Sequence, residues 1–160
     1  MPSARIFADL KADHDRHRDL LARLGETAGS AERRTLFEQF RIEVTAHAAA
    51  EEESLYATML AKPDLRDDAR HSVSEHKEID DFLGELVDLD PASDAWVERF
   101  KAMRHRYEHH IDEEEEEMFP AAAEGLSDEE EARLARVFEA RKPKERARAE
   151  AEPAGGDARD

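Results

Sequence analysis

The chain has 160 residues, 41 acidic and 24 basic, giving a formal net charge of −17 and a charged fraction of 41%. Ordinary globular domains carry roughly 25% charged residues, so the composition fits either disorder or long helices with solvated faces. The absence of cysteine excludes disulfides, thiolate zinc sites, iron–sulfur clusters and a cysteine nucleophile; the acidity argues against nucleic acid, whose phosphates are bound by neutralising cations.

Apolar residues spaced three and four apart define the elements in turn. The first, about residues 4–25, lines Phe7, Leu10, His14, His17, Leu21 and Leu24 along one seam and stops at Gly25. The second, about 31–61, follows Ser30 as a candidate N-cap and carries Phe37, Phe40, Val44, His47, Glu51, Leu55 and Met59. Pro63 precedes a third, about 64–88, with Asp64 as a candidate cap and Leu65, Ala69, Val73, His76, Leu83 and either Leu86 or Val87 on its seam. Asp90-Pro91 introduces the fourth, about 94–118, bearing Trp96, Phe100, Met103, Tyr107, His110, Glu114 and Met118. Pro120 and Gly125 mark a further break, after which the capping box Ser127-Asp128-Glu129-Glu130 opens a short fifth helix with Leu134, Val137 and Phe138.

Pro143 closes the periodic region. Residues 142–160, rich in Arg, Glu and Ala and then Pro153-Ala154-Gly155-Gly156, have no apolar stripe and are expected to be a disordered tail. The fold predicted is all-α: an up-down-up-down antiparallel four-helix bundle over residues 1–141, with the short fifth helix at its end. No apolar run approaches the roughly 20 residues needed to span a bilayer. The opening Met1-Pro2-Ser3-Ala4-Arg5-Ile6 lacks the plan of a secretory signal. The expected location is therefore cytoplasmic, with no membrane contact.

His14, His17, His47, Glu51, His76, His110 and Glu114 fall mid-helix on seams that should be buried. A buried polar group without a partner costs about 1–3 kcal/mol, and a bare charge far more. A lone histidine on such a stripe is ordinarily a satisfied core residue, and a glutamate in so acidic a chain is ordinarily solvated. The pattern argues otherwise. His47 and Glu51 are four apart, leaving the helix about 40° apart in azimuth and one turn apart in height, so both reach one point beside it. His110 and Glu114 repeat that step. His14 and His76 are separated by 62 residues, and His47 and His110, like Glu51 and Glu114, by 63. The chain is thus two copies of a helical hairpin, each giving a histidine from its first helix and His-x-x-x-Glu from its second. Glutamate matches alone carry little, because residues 113–117 are all glutamate; histidines number only 8 and carry the argument. Four imidazoles and two carboxylates meeting in a bundle centre suit iron, zinc or manganese. One carboxylate from each half bridging two metals leaves positions for an oxo or hydroxo bridge and an exogenous ligand.

At these residues the chain resembles the hemerythrin-like family, the HHE cation-binding domain, over about residues 5–122. His110-x-x-x-Glu114 followed by Met118-Phe119-Pro120 matches the family's fourth-helix pattern; the first copy ends Leu55-Tyr56-Ala57, with alanine where proline is usual. The resemblance implies a non-haem di-iron centre with His14, His47, His76 and His110 as terminal ligands and Glu51 and Glu114 as bridges. One departure stands out. Oxygen-carrying hemerythrins place a second histidine one turn after the third-helix ligand, whereas this chain has Asp80 there. Asp80 and His17 are the two candidates for a seventh ligand; His17 is matched in the second copy by Ile79, as a core position would be. Tyr107, one turn before His110, either hydrogen-bonds a bridging oxygen or simply packs. His71, His105 and His109 lie off the seams and are expected at the surface, as are the remaining glutamates around Glu51 and Glu114.

The function expected is a non-haem di-iron protein that binds or reacts with O2, peroxide or NO, in sensing, iron and oxygen handling or detoxification. Binding asks less of the site than turnover does, and the sequence does not decide between them. A ferritin-like enzyme would need Glu-x-x-His pairs, and none occurs. The rival reading is a metal-free acidic helical bundle that meets a basic partner.

Overall fold

The computed structural model describes residues 5–152, and among these every regular element is helical. Helix α1 (Arg5–Glu26) is followed by α2 (Ser30–Glu51), which continues without interruption through a π-helical turn, π1 (Glu52–Tyr56), into α3 (Ala57–Leu60). Helix α4 (Arg66–Asp88) leads to α5 (Asp94–Glu113), which likewise runs through a π-helical turn, π2 (Glu114–Met118), into α6 (Phe119–Gly125); α7 (Asp128–Ala151) is last. Four rods form a ring in which α1 meets α2 and α5, and α4 meets the same two. No helix is long and apolar enough to cross a membrane among the described residues.

Local chemistry explains most of the boundaries. Ser93 Oγ accepts from the Trp96 N–H at 3.1 Å to start α5. The Ser127 and Glu130 side chains each accept from the other residue's backbone N–H, the reciprocal box that opens α7. Two expected caps differ. Ser30 is the first residue of α2, behind Gly29, and Leu65 occupies the position before α4; neither helix has a side-chain cap. Pro120 does not end the fourth rod. It sits just after π2 in the continuing rod, which stops only at Gly125. A Cβ there would lie 2.9 Å from Leu65 Cδ1, so a larger residue would make the Leu65 side chain shift.

The fifth helix is not short, and residues 142–151 are not a disordered tail. Helix α7 spans 24 residues with Pro143 inside it, and it packs chiefly along α2. Its second half is held by charge rather than by an apolar stripe. Lys142 Nζ donates to Asp13 Oδ2 at 2.6 Å, Arg146 pairs with Glu43, and the buried Arg41 donates to the carbonyls of Ala149 and Glu152 at 3.1 and 3.0 Å. A cation on the last carbonyls satisfies groups that a helix end leaves unpaired. The remainder of the expected tail, residues 153–160, lies outside the described residues.

The apolar core has two parts. One, at the α6–α7 end, is built around Ile6, Leu10, Leu55, Met59, Phe119 and Phe138. The other, at the opposite end, gathers Leu21, Phe40, Leu83, Leu86, Trp96 and Met103. Leu86, at 1% exposure, takes the seam position while Val87, at 44%, faces out. Between the two parts runs a belt of buried histidines and carboxylates.

A candidate metal centre between the two halves of the core

His14, His17, His47, Glu51, His76, His110 and Glu114 are all buried in that belt. The two glutamates stand at its middle, each between histidines of both hairpins. Glu51 Oε1 lies 3.5 Å from His47 Nε2 and 3.4 Å from His76 Nε2. Glu114 Oε1 lies 3.2 Å from His14 Nε2 and 3.6 Å from His110 Nε2. Two compact ligand groups result, His14–His47–Glu114 and His76–His110–Glu114, with ligand atoms within 4.8 Å of one another.

The histidines are oriented by an outer ring of carboxylates. The Nδ1 of His47 donates to Asp13 at 2.9 Å and that of His110 to Glu75 at 2.7 Å, both within one hairpin. The Nδ1 of His14 donates to Glu115 and that of His76 to Glu52, each at 2.7 Å and each across to the other hairpin. A donor at Nδ1 leaves the Nε2 lone pair facing the centre, the arrangement that fixes tautomer and ring angle in metal-bound histidines. Asp13 and Glu75 directly precede His14 and His76, while Glu52 and Glu115 directly follow Glu51 and Glu114. The repeat therefore extends to this outer ring. Glu52 and Glu115 were expected as solvated members of acidic runs, and the pattern of seams offered no sign that they turn inward. The π-helical turns, which start at Glu52 and at Glu114, are a further repeated feature with no separate signal in the sequence. Such turns frequently mark functional sites in helices.

Several of these buried atoms have no hydrogen-bond partner: Nε2 of His14, His17 and His47, both oxygens of Glu51, and Oε1 of Glu114. Leaving them so costs about 1–3 kcal/mol apiece, and a cation among them is the arrangement that satisfies them together. Nitrogen and carboxylate donors of this kind suit iron, zinc and manganese.

The same proximity shapes the proton equilibria. Burial alone would push the His14 imidazole down, but the Glu114 and Glu115 carboxylates override it and raise its pKa to about 9. Burial is likewise outweighed at His76, where Glu51 and Glu52 raise the value to about 10. His47 and His17 go the other way, lowered by desolvation. Burial pushes Glu51 up, yet its histidine neighbours hold it well below the ordinary carboxylate value. A metal held by His14 and His76 would compete with protons for the same nitrogens, so its binding at neutral pH would release protons and weaken as pH falls.

The three less certain positions separate. His17 is fully buried, its ring 5.1 Å from that of His47, and its Nδ1 pairs with the Tyr107 hydroxyl at 2.7 Å. Tyr107 therefore reaches the belt through His17 rather than through a carboxylate. Asp80 stands outside both compact groups and lines a cleft with Thr45, Ile79, His47, His76 and Tyr107. Tyr56, which the seams left unremarked, is fully buried; its hydroxyl donates to Glu114 Oε2 and lies 3.5 Å from His76 Nε2. Its counterpart in the repeat, 63 residues on, is Phe119, whose ring stacks on His14 as Tyr56 stacks on His76. His71, His105 and His109 are exposed as expected.

The family model for the hemerythrin HHE cation-binding domain matches residues 5–122. Among solved structures, the chain is similar to the crystal structure of a hemerythrin HHE cation-binding domain-containing protein, the Rv2633c homolog from Mycobacterium kansasii. The two share 26% sequence identity and a TM-score of 0.80, over 94% of this chain and 91% of that one. No curated protein matches.

Proposed function

Because the chain belongs to the hemerythrin HHE cation-binding domain family, we propose that it holds two non-haem iron ions and uses them to bind or react with O2, peroxide or NO. His14 and His47 serve one iron, His76 and His110 the other, and Glu51 and Glu114 span both. The observation that carries this reading is that each central carboxylate touches one histidine from each hairpin. His17, with its free Nε2 beside His47, is the seventh ligand in this reading, and Asp80 is a polar group of the cleft wall. Zinc or manganese would fit the same donors; iron is preferred because a redox metal gives small oxygen and nitrogen ligands something to react with.

Supporting an exogenous ligand, the cleft between α2 and α4 runs past Val44, Ala48, Ile79 and Leu83 to His47, His76 and Tyr107. Its free volume is about 10 Å³, near the roughly 10–15 Å³ needed by one water. That is room for about one water-sized molecule, so any exogenous ligand held there must be small. Bound iron would supply the electrons for such chemistry. The chain's residues hold the metal, exclude bulk water and keep a proton on the Tyr56 hydroxyl, whose pKa is raised well above its usual value by burial and by Glu114 and Glu51. The rival reading, a metal-free interaction module, leaves the buried donors uncompensated.

Anaerobic loading with Fe2+, followed by exposure to O2, H2O2 or NO under optical observation, tests the proposal. The expected result is two irons per chain and a new near-ultraviolet absorption with at least one of these ligands. Protein that stays colourless and takes up no iron contradicts it.

A further inference from the structure

The two hairpins repeat the outer carboxylates Asp13 and Glu75, but the surroundings of these two residues differ. Asp13 is sealed by α7, whose Lys142 ammonium donates to it at 2.6 Å. Glu75 is as deeply buried, but by different neighbours. Its Oε2 faces His71 Nε2 at 3.4 Å, and the same His71 nitrogen lies 3.0 Å from Glu113 Oε1. The three ligand atoms fall within 4.8 Å of one another, and His109 Nε2 approaches Glu113 from the other side at 3.3 Å. The positions matching His71 and Glu113 in the first hairpin are Asp9 and Ala50, so this cluster exists once.

A cavity of about 50 Å³ adjoins the cluster, with His71, Glu113, Asp68 and Glu117 at its walls together with His110 and Glu114 of the centre. Glu114 is 1% exposed and its Oε1 has no hydrogen-bond partner. A group of imidazole and carboxylates at the edge of the bundle thus borders a carboxylate-lined cavity whose wall also includes His110 and Glu114 of the centre. An opposing charge, Arg106, lies 3.6 Å from Glu75, and its guanidinium is engaged by both oxygens of Glu78 at 3.0 Å.

We propose that His71, Glu75 and Glu113 form a peripheral divalent-cation site through which metal enters the buried centre. Mixed imidazole and carboxylate donors, with water completing the shell, suit Fe2+, Zn2+, Mn2+ or Co2+. Glu75 joins the two sites, since one oxygen faces the cluster while the other orients His110. The entry role rests on the metal-centre reading above; the cluster itself does not.

Co2+ titration of the metal-free full chain, followed by stopped-flow absorption, tests this. Wild-type protein should bind one more equivalent than His71→Ala or Glu113→Gln, and the variants should fill the buried centre more slowly at limiting Co2+ while reaching the same final occupancy of that centre. Both substitutions fall on solvent-reaching side chains, so folding is preserved and checked by helical circular dichroism. Equal stoichiometry, or equal filling rates, in wild type and variants overturns the inference and leaves the centre standing. Failure of every protein to take up Co2+ overturns both.

Discussion

The two hairpins carry the same metal-facing residues and differ beside them. On the His14–His47 side stand a third imidazole, His17, its partner Tyr107, and the apolar Phe119. On the His76–His110 side, Ile79 takes the place of His17, Val44 is the counterpart of Tyr107, and Tyr56 replaces the phenyl ring with a phenol on Glu114. In the proposed reading the repeated residues hold a pair of cations, and the unrepeated ones would make the two positions chemically unlike. A nitrogen-richer position next to one flanked by a phenol would then give an exogenous ligand a preferred side on which to bind.

The comparison breaks most severely if the repeated ligands are removed. His47→Ala and His110→Ala should each lose most of the bound metal, to similar extents, measured by metal analysis after desalting; retention of wild-type metal by either ends the equivalence. A smaller loss from the buried centre is expected one layer out. Asp13→Asn and Glu75→Gln should weaken metal affinity by about 10- to 100-fold, read from competition with a chromophoric chelator. The unrepeated residues should behave asymmetrically. His17→Ile should weaken one of the two metal equivalents and spare the other, and an unchanged titration would make His17 a core residue.

Much of this was legible in the amino-acid sequence because helical seams report burial. His14, His47, His76, His110, Glu51 and Glu114 announce themselves as polar residues on apolar stripes, and their spacing doubles the signal. The outer ring was hidden for the same reason. Glu52 and Glu115 sit in runs of glutamate, where no stripe distinguishes the one that turns inward, and only the π-helical turns and the facing hairpin decide it. Residues 142–151 carry no such signal, because what docks them is not an apolar stripe. Arg41, Glu43 and Asp13 hold that segment through charge and carbonyl contacts, which leave no apolar periodicity to read.

The cover over Asp13 supplies two further tests. Truncation after Lys142 removes Ala149 and leaves the buried Arg41 without the carbonyls it serves. Hydrogen bonds to charged groups contribute about 1.5–3 kcal/mol, so a stability loss of about that size is expected in chemical denaturation, while Lys142 and the metal content stay. Unaltered stability would mean that this half of α7 is not docked in solution.

The smallest effect concerns Asp9 beside Glu139 at the same seam. Burial and the Glu139 carboxylate raise the Asp9 pKa from 3.8 to about 6, and Arg5 holds Glu139 at 2.8 Å. Because the folded value exceeds the unfolded one, the stabilising contribution is complete below about 3.8 and is lost as pH rises through about 6. Asp9→Asn should therefore raise the melting temperature at pH 7 and leave it unchanged near pH 3.5. Asp9 is only half-buried, so the gain should be about 1 kcal/mol or less.

The most direct measurement of the central claim is anomalous X-ray scattering at the iron edge from crystals of anaerobically Fe2+-loaded protein. The account predicts two peaks between Glu51 and Glu114, about 3.5–4 Å apart, one beside His14 and His47 and the other beside His76 and His110. A single peak, no peak, or peaks only among surface carboxylates would contradict it.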